Sequence, residues 1–230
     1  MGLTLPNAFR FFLLLPTTSN DTLGEPFWKD PRLNLYLFSW SLFHLAEFFV
    51  TARYNPTRLL TDSFLLNNGV TYHVAHSFGL IEFILTSLLF PPPSQHWLFG
   101  SQALGIKPLH LSWIGLALIL LGQFLRSLAM IQASDNFSHT IASTKRHDHR
   151  LVKEGVYSFS RHPSYFGFFY WALGTQILLV NPLSTLGFSL VLWKFFNSRI
   201  KHEEIHLVKF FGQEYLDYRR RVGTKLPFIP

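Results

Sequence analysis

The sequence predicts an all-α, polytopic integral membrane helical bundle with a short helical hairpin and a cytosolic cofactor-binding cap, and three observations carry that expectation. Of 230 residues, 48% are hydrophobic and only 14% are charged, roughly half the charged share of a typical soluble domain. The apolar residues gather into runs of about 20, the length that crosses a hydrocarbon core as helix. The polar residues collect between and after these runs, most densely in the C-terminal half.

The elements follow in chain order. Phe9 to Leu15 is apolar but too short to span and is closed by Pro16, so it reads as the remnant of a first helix, an interfacial segment or a poor signal sequence. Residues 1–32 are therefore set apart as an N-terminal segment without an assigned place. Leu33 to Ala52, Val70 to Phe90 and Leu111 to Met130 predict three transmembrane helices, and Pro91-Pro92-Pro93 punctuates the end of the second. Tyr165 to Val180 and Leu183 to Phe196 are shorter apolar arms joined by the helix-stopping pair Asn181-Pro182, the pattern of a hairpin within the membrane. Five or six membrane helices result. Neither an internal repeat nor a long linker divides them, so residues 1–230 form one membrane domain whose residues 131–230 carry the chemistry.

Charge sets the orientation. The net charge of +7 comes from basic residues beside apolar helices, which suits anionic lipid headgroups better than nucleic acid. Lys145, Arg146, Arg150, Lys153 and Arg161 fall between Ile131 and Ser164, further basic residues fill the tail, and Pro91 to His110 holds Lys107 alone. By the positive-inside rule the long loop and the tail are both cytosolic, with the hairpin supplying the two crossings between them. The absence of cysteine removes disulfides, thiolate metal sites and a cysteine nucleophile together.

The densest chemistry stands in Arg161-His162-Pro163-Ser164-Tyr165-Phe166-Gly167, directly before an apolar run. Charge and backbone irregularity at a membrane face usually mark function, although Pro163 and Gly167 also suit a simple bend. Arg199 and Glu203, four apart with no breaker after Phe196, fall on one face of one helix. A surface salt bridge is the plainer reading of that pair; against it stands the company of His149, Tyr157, His162, Ser164 and Tyr165 at the same level. Glu204, about 100° around the helix, is expected to stand aside from this face. Within the spans, His44, Glu47, His73, His76, Glu82 and Arg126 are expected to pair across helices, Arg126 with Glu47 or Glu82, in preference to holding a metal. Ser164 lacks both an aspartate partner and a G-x-S-x-G elbow, which argues against serine hydrolysis.

His149-x-Leu151-Val152-x-x-Gly155-Val156-Tyr157, Arg161-His162-Pro163-Ser164-Tyr165-x-Gly167, Trp171-x-x-Gly174-Thr175-Gln176, Asn181-Pro182 and Arg199-x-x-x-Glu203-Glu204 form a connected series. It continues through Phe210-Phe211-Gly212-x-Glu214-Tyr215 to Leu226-Pro227-Phe228-Ile229. As a series it resembles the protein-S-isoprenylcysteine O-methyltransferase family, its shorter fungal members especially. The resemblance implies an endoplasmic-reticulum enzyme, active site facing the cytosol, that uses S-adenosylmethionine to methylate the C-terminal carboxylate of a prenylated cysteine after C-a-a-X processing. It implies cofactor contacts from His149, Arg150, Leu151, Val152 and Tyr157, from His162, Pro163, Ser164 and Tyr165, and from Glu203, with Arg199 facing the substrate carboxylate and no metal. Some members carry Gln where Ala142 stands, and that contact is not carried over. The alternatives are a related membrane lipid methyltransferase, a sterol reductase sharing R-H-P-x-Y-x-G, and a transporter using the intramembrane His and Glu residues; Arg199 with Glu203 argues for methylation.

Overall fold

The computed structural model describes residues 26–90 and 108–230; the short apolar stretch Phe9 to Leu15 and most of the loop from Pro91 to His110 lie outside them. Asp30 opens the first long helix by accepting the Arg32 backbone N–H at 2.8 Å, with Pro31 at the first helical position where its missing N–H costs nothing. This is α1, Pro31–Tyr54; α2 follows as Val70–Leu89 and α3 as Pro108–Ala133. All three are long and apolar enough to cross a membrane, and they coincide with the three predicted spans. Side chains such as Phe38 and Phe49 on α1, Phe78 on α2 and Phe124 on α3 are more than half exposed, as the lipid-facing surface of a membrane protein is.

After a polar loop and the single turn α4, Val156–Phe159, come the hairpin arms α5, Pro163–Leu179, and α6, Pro182–Phe211, then α7, Gln213–Arg221. The hairpin is lopsided. Nothing in the sequence breaks α6 where its apolar arm ends at Phe196, so it runs for 30 residues, about 45 Å, and carries Arg199 and Glu203 above the bundle. Its turn is tied down from α2. Val180 takes the left-handed conformation at φ 61°, the Asn181 amide donates to the Gly79 carbonyl at 2.7 Å, and Glu82 accepts the backbone N–H groups of Leu183 and Ser184 at 2.8 and 2.6 Å. A carboxylate at a helix N-terminus meets both unsatisfied donors and the positive end of the dipole. Glu82 is therefore a cap, and Arg126 pairs with Glu47 instead, at 2.5 Å, the carboxylate being fully buried.

α3 and α5 are antiparallel and nearly in backbone contact. A Cβ at Gly122 would lie 2.5 Å from the Gly167 carbonyl and one at Gly167 2.6 Å from the Gly122 carbonyl, while Gly115 and Gly174 repeat the arrangement one heptad away. Small residues let membrane helices approach in this way. Around that seam Phe43 of α1 stacks on Trp171 with centroids 4.3 Å apart, and the Arg126 guanidinium lies 5.3 Å from both the Phe43 and Phe168 rings. His76 contacts the Tyr36 hydroxyl at 2.8 Å and His44 the Tyr72 hydroxyl at 3.0 Å, so these histidines bind α2 to α1.

The tail closes the cap. Gly212, at φ 54°, turns α7 back, and Leu226 and Ile229 enter the core. Arg161 spreads its fork over three chain segments, donating to Glu204 at 2.5 Å, to the Val222 carbonyl at 3.0 Å and to the Pro230 carbonyl.

Candidate active site

Two cavities meet where α5 and α6 leave the apolar layer. The first, about 130 Å³, lies in the cap, and all ten residues expected as cofactor contacts line it. The loop before α4 brings His149, Arg150, Leu151 and Val152, α4 brings Tyr157, the first turn of α5 with its preceding residue brings His162, Pro163, Ser164 and Tyr165, and α6 brings Glu203. The second cavity, about 590 Å³, is walled mainly by apolar side chains of α2, α5 and α6, among them Val74, Phe168, Phe188 and Phe195, and it reaches Arg199. Phe137, Ser138, Ser164 and Tyr165 belong to both walls.

Tyr165 is the hinge point of the polar network. Its hydroxyl donates to Glu203 Oε2 at 2.6 Å and accepts from Arg199 Nε at 2.8 Å, so the pair that the sequence offered as a surface salt bridge is joined through a phenol standing between the cavities. An Arg199 Nη also donates to the His139 carbonyl at 2.5 Å. The His139 ring in turn meets Glu47 at 2.9 Å, which anchors that loop to the membrane layer. Ser164 Oγ accepts from Arg126 at 3.1 Å, which ties the start of α5 to the Arg126–Glu47 pair.

His162 is held by two glutamates and a ring. Its Nε2 lies 3.3 Å from Glu204 Oε1 and its Nδ1 3.8 Å from Glu203 Oε2, and it is parallel to the Tyr165 ring within 1°. Glu204 does not line the polar cavity, but it is buried and receives Arg161 at 2.5 Å and Arg219 at 3.3 Å, because the tail folds over the face of α6 that the sequence alone leaves open. Burial works to raise its carboxyl pKa, but hydrogen bonds from His162 and Arg161 and the Arg161 charge prevail and hold it at about 2. The His149 pKa is lowered from its ordinary value by burial first and then by the charges of Arg146, Arg58 and Lys145. Burial raises the Tyr157 phenol, which stays a donor, to the Ala129 carbonyl at 3.2 Å.

Several wall residues escaped the sequence reading. Asn136, Phe137 and Ser138 line the polar cavity, and the Asn136 amide oxygen accepts the Arg150 backbone N–H at 2.8 Å; no periodic signal marks such a loop. His206, Leu207 and Phe210 also line it. These lie three, four and seven residues beyond Glu203, a spacing that could have found them. Ala142, the departure from the family pattern, is in this wall as well.

The helices form a membrane bundle with a polar cavity in its cap, an apolar cavity among its helices and one wall shared between them, the architecture of an integral membrane enzyme. Residues 113–209 match the family model for isoprenylcysteine carboxyl methyltransferases. The chain is 50% identical to protein-S-isoprenylcysteine O-methyltransferase of Saccharomyces cerevisiae over 198 residues, 86% of this chain and 80% of the relative. It is 48% identical to that of Schizosaccharomyces pombe, covering 83% and 81%, and 44% identical to that of Homo sapiens, covering 84% and 64%. The solved eukaryotic intramembrane Ras methyltransferase, an isoprenylcysteine carboxyl methyltransferase, superposes with a TM-score of 0.78 at 41% identity, covering 86% of this chain and 67% of that one. The protein belongs to the isoprenylcysteine carboxyl methyltransferase family.

Proposed function

We propose that this enzyme transfers a methyl group from S-adenosylmethionine to the C-terminal carboxylate of a prenylated cysteine, with the polar cavity as cofactor site and the apolar cavity as prenyl site. The observation that carries the reading is the shared wall: Tyr165 faces both cavities and links Glu203 to Arg199. S-adenosylmethionine supplies a methyl group already activated on a cationic sulfonium. The polar cavity suits such a ligand, since Glu203 offers an anion only partly engaged, with 27% of its side chain exposed. His206 adds a buried Nδ1 with no hydrogen-bond partner among the described residues.

A C-terminal carboxylate, with pKa about 3.5, is ionised at neutral pH, so no general base is required. Alignment is required, and positioning alone can lower such a barrier by several kcal/mol, up to about 10. Arg199 is oriented for that by two fixed acceptors, the Tyr165 hydroxyl and the His139 carbonyl, which leaves its second Nη to meet the substrate carboxylate. The apolar cavity lies between α2 and α6, where the lining residues Val74 and Val191 are exposed; a prenyl chain gains about 0.8 kcal/mol per buried CH₂ and is delivered from the bilayer. The setting is the endoplasmic-reticulum membrane with the cap in the cytosol, in keeping with the basic loop and tail.

The test is methyl transfer by the purified protein in lipid, from labelled S-adenosylmethionine to N-acetyl-S-farnesyl-cysteine. Incorporation of label as a base-labile ester is the expected result. Transfer to a phospholipid amine with none to the prenylcysteine would replace this reading with that of a lipid methyltransferase.

A further inference from the structure

We propose that Gly187 sets the length of prenyl chain the apolar cavity accepts, with the last isoprene unit of a geranylgeranyl chain lying beside it; the proposal rests on the prenylcysteine reading above. One face of α6 forms a continuous wall of the cavity. Ser184, Gly187, Val191, Phe195 and Arg199 all line it, each three or four residues from the next, as one helical face requires. Arg199 therefore stands about 18 Å along the helix axis from Gly187 and about 22 Å from Ser184, at about 1.5 Å per residue.

The deep end of this wall is fixed. Ser184 gives its backbone N–H and its hydroxyl to Glu82, and three residues further down Asn181 is bonded to the Gly79 carbonyl of α2 at 2.7 Å. A floor held by buried hydrogen bonds cannot recede for a longer ligand without leaving polar groups unpaired. Just above the floor, a Cβ built on Gly187 meets none of the described residues within 4 Å. Gly187 lines the cavity and is exposed, so a side chain there would enter open space at the cavity's edge.

The ligand can be measured against this wall. A trans isoprene unit places four carbons in the chain and advances roughly 5 Å, given bonds of about 1.5 Å. The cysteine adds nearly one unit's length between carboxylate and sulfur. With the carboxylate at Arg199, three units end near the level of Gly187. A fourth unit fills the space between Gly187 and the Ser184 floor. A side chain at position 187 removes the seat of the fourth unit and leaves those of the first three.

The experiment compares methyl transfer to N-acetyl-S-geranyl-, S-farnesyl- and S-geranylgeranyl-cysteine by the wild type and by Gly187→Leu, Gly187→Ala and Leu186→Phe in lipid. Gly187→Leu is expected to lower kcat/KM for the geranylgeranyl substrate by at least about tenfold, the scale of a methylene misfit in an apolar pocket. Farnesyl should suffer less and geranyl least, so that the short substrates report an intact fold. Replacing a mid-helix glycine also favours the helix. Gly187→Ala should show the same order in smaller degree. Leu186→Phe, which adds bulk where Leu186 is 62% exposed on the outer face, should leave the order unchanged. An equal loss on all three substrates in both Gly187 variants, or a greater loss on the shorter ones, overturns the assignment. If the wild type methylates none of the three, it is the prenylcysteine reading that fails.

Discussion

Glu203 and Glu204 are consecutive on α6 and face different surroundings, because successive helical side chains diverge by about 100°. Glu203 opens into the polar cavity and holds the Tyr165 hydroxyl, whereas Glu204 is sealed beneath Arg161, His162 and Arg219. Breaking one partner of a buried pair costs about 3–5 kcal/mol because the other charge is left uncompensated. Glu204→Gln should therefore lower the yield of folded protein and its thermal stability, with cofactor affinity in the surviving fraction near normal; normal stability would contradict the role of the Arg161 fork. The sign with pH agrees. A carboxyl held at about 2 against an ordinary 4.5 stabilises the fold fully above 4.5, and that contribution is lost progressively as pH falls from 4.5 through 2. Arg199→Lys retains charge but loses the fork held by Tyr165 and the His139 carbonyl. Turnover in steady-state kinetics should fall at least about tenfold, equivalent to about 1.4 kcal/mol of barrier, with cofactor affinity little changed. Near-normal turnover would return Arg199 to a surface role.

At the scale of elements, the long apolar helices were legible because length and composition alone specify a span, and α1, α2 and α3 stand where the runs placed them. Continuity of α6 through Arg199 and Glu203 was legible for the same kind of reason, the lack of any breaker. Which glutamate served Arg126 was not legible, since both lie within spans and only the packing of α1 on α3 chooses Glu47, which frees Glu82 to cap the hairpin. The loop that brings Asn136 to His139 was read only as part of a basic connection, because its contacts are made with residues distant in sequence. The glycine seam between α3 and α5 is the element-scale feature most open to test. Gly122→Leu would drive a side chain into the Gly167 carbonyl and the Trp171 backbone, where rigid backbone rather than a movable side chain must yield. Detergent-solubilised protein should then aggregate on size-exclusion chromatography, whereas a monodisperse peak with wild-type melting would mean that the two helices have room to part.

For the whole molecule, a cap assembled from the loop before α4, the end of α6 and the tail requires all three on one side of the membrane. Labels at Lys145 and Lys225 should be accessible from the cytosol and a label at Lys107 should not, and Asn136 should remain unglycosylated; opposite accessibility of the first two would remove the hairpin. The central claim is the division of labour between the two cavities, with Glu203 on the cofactor side and Arg199 on the substrate side of Tyr165. It is tested most directly by measuring both affinities in Glu203→Gln, by isothermal titration of S-adenosylmethionine and by the KM for N-acetyl-S-farnesyl-cysteine. An anion across a pocket of reduced dielectric attracts a cationic cofactor and repels a carboxylate. Cofactor affinity should fall several-fold while the prenyl KM stays level or improves; unchanged cofactor affinity with a raised prenyl KM would show that the cavities have been assigned the wrong way round.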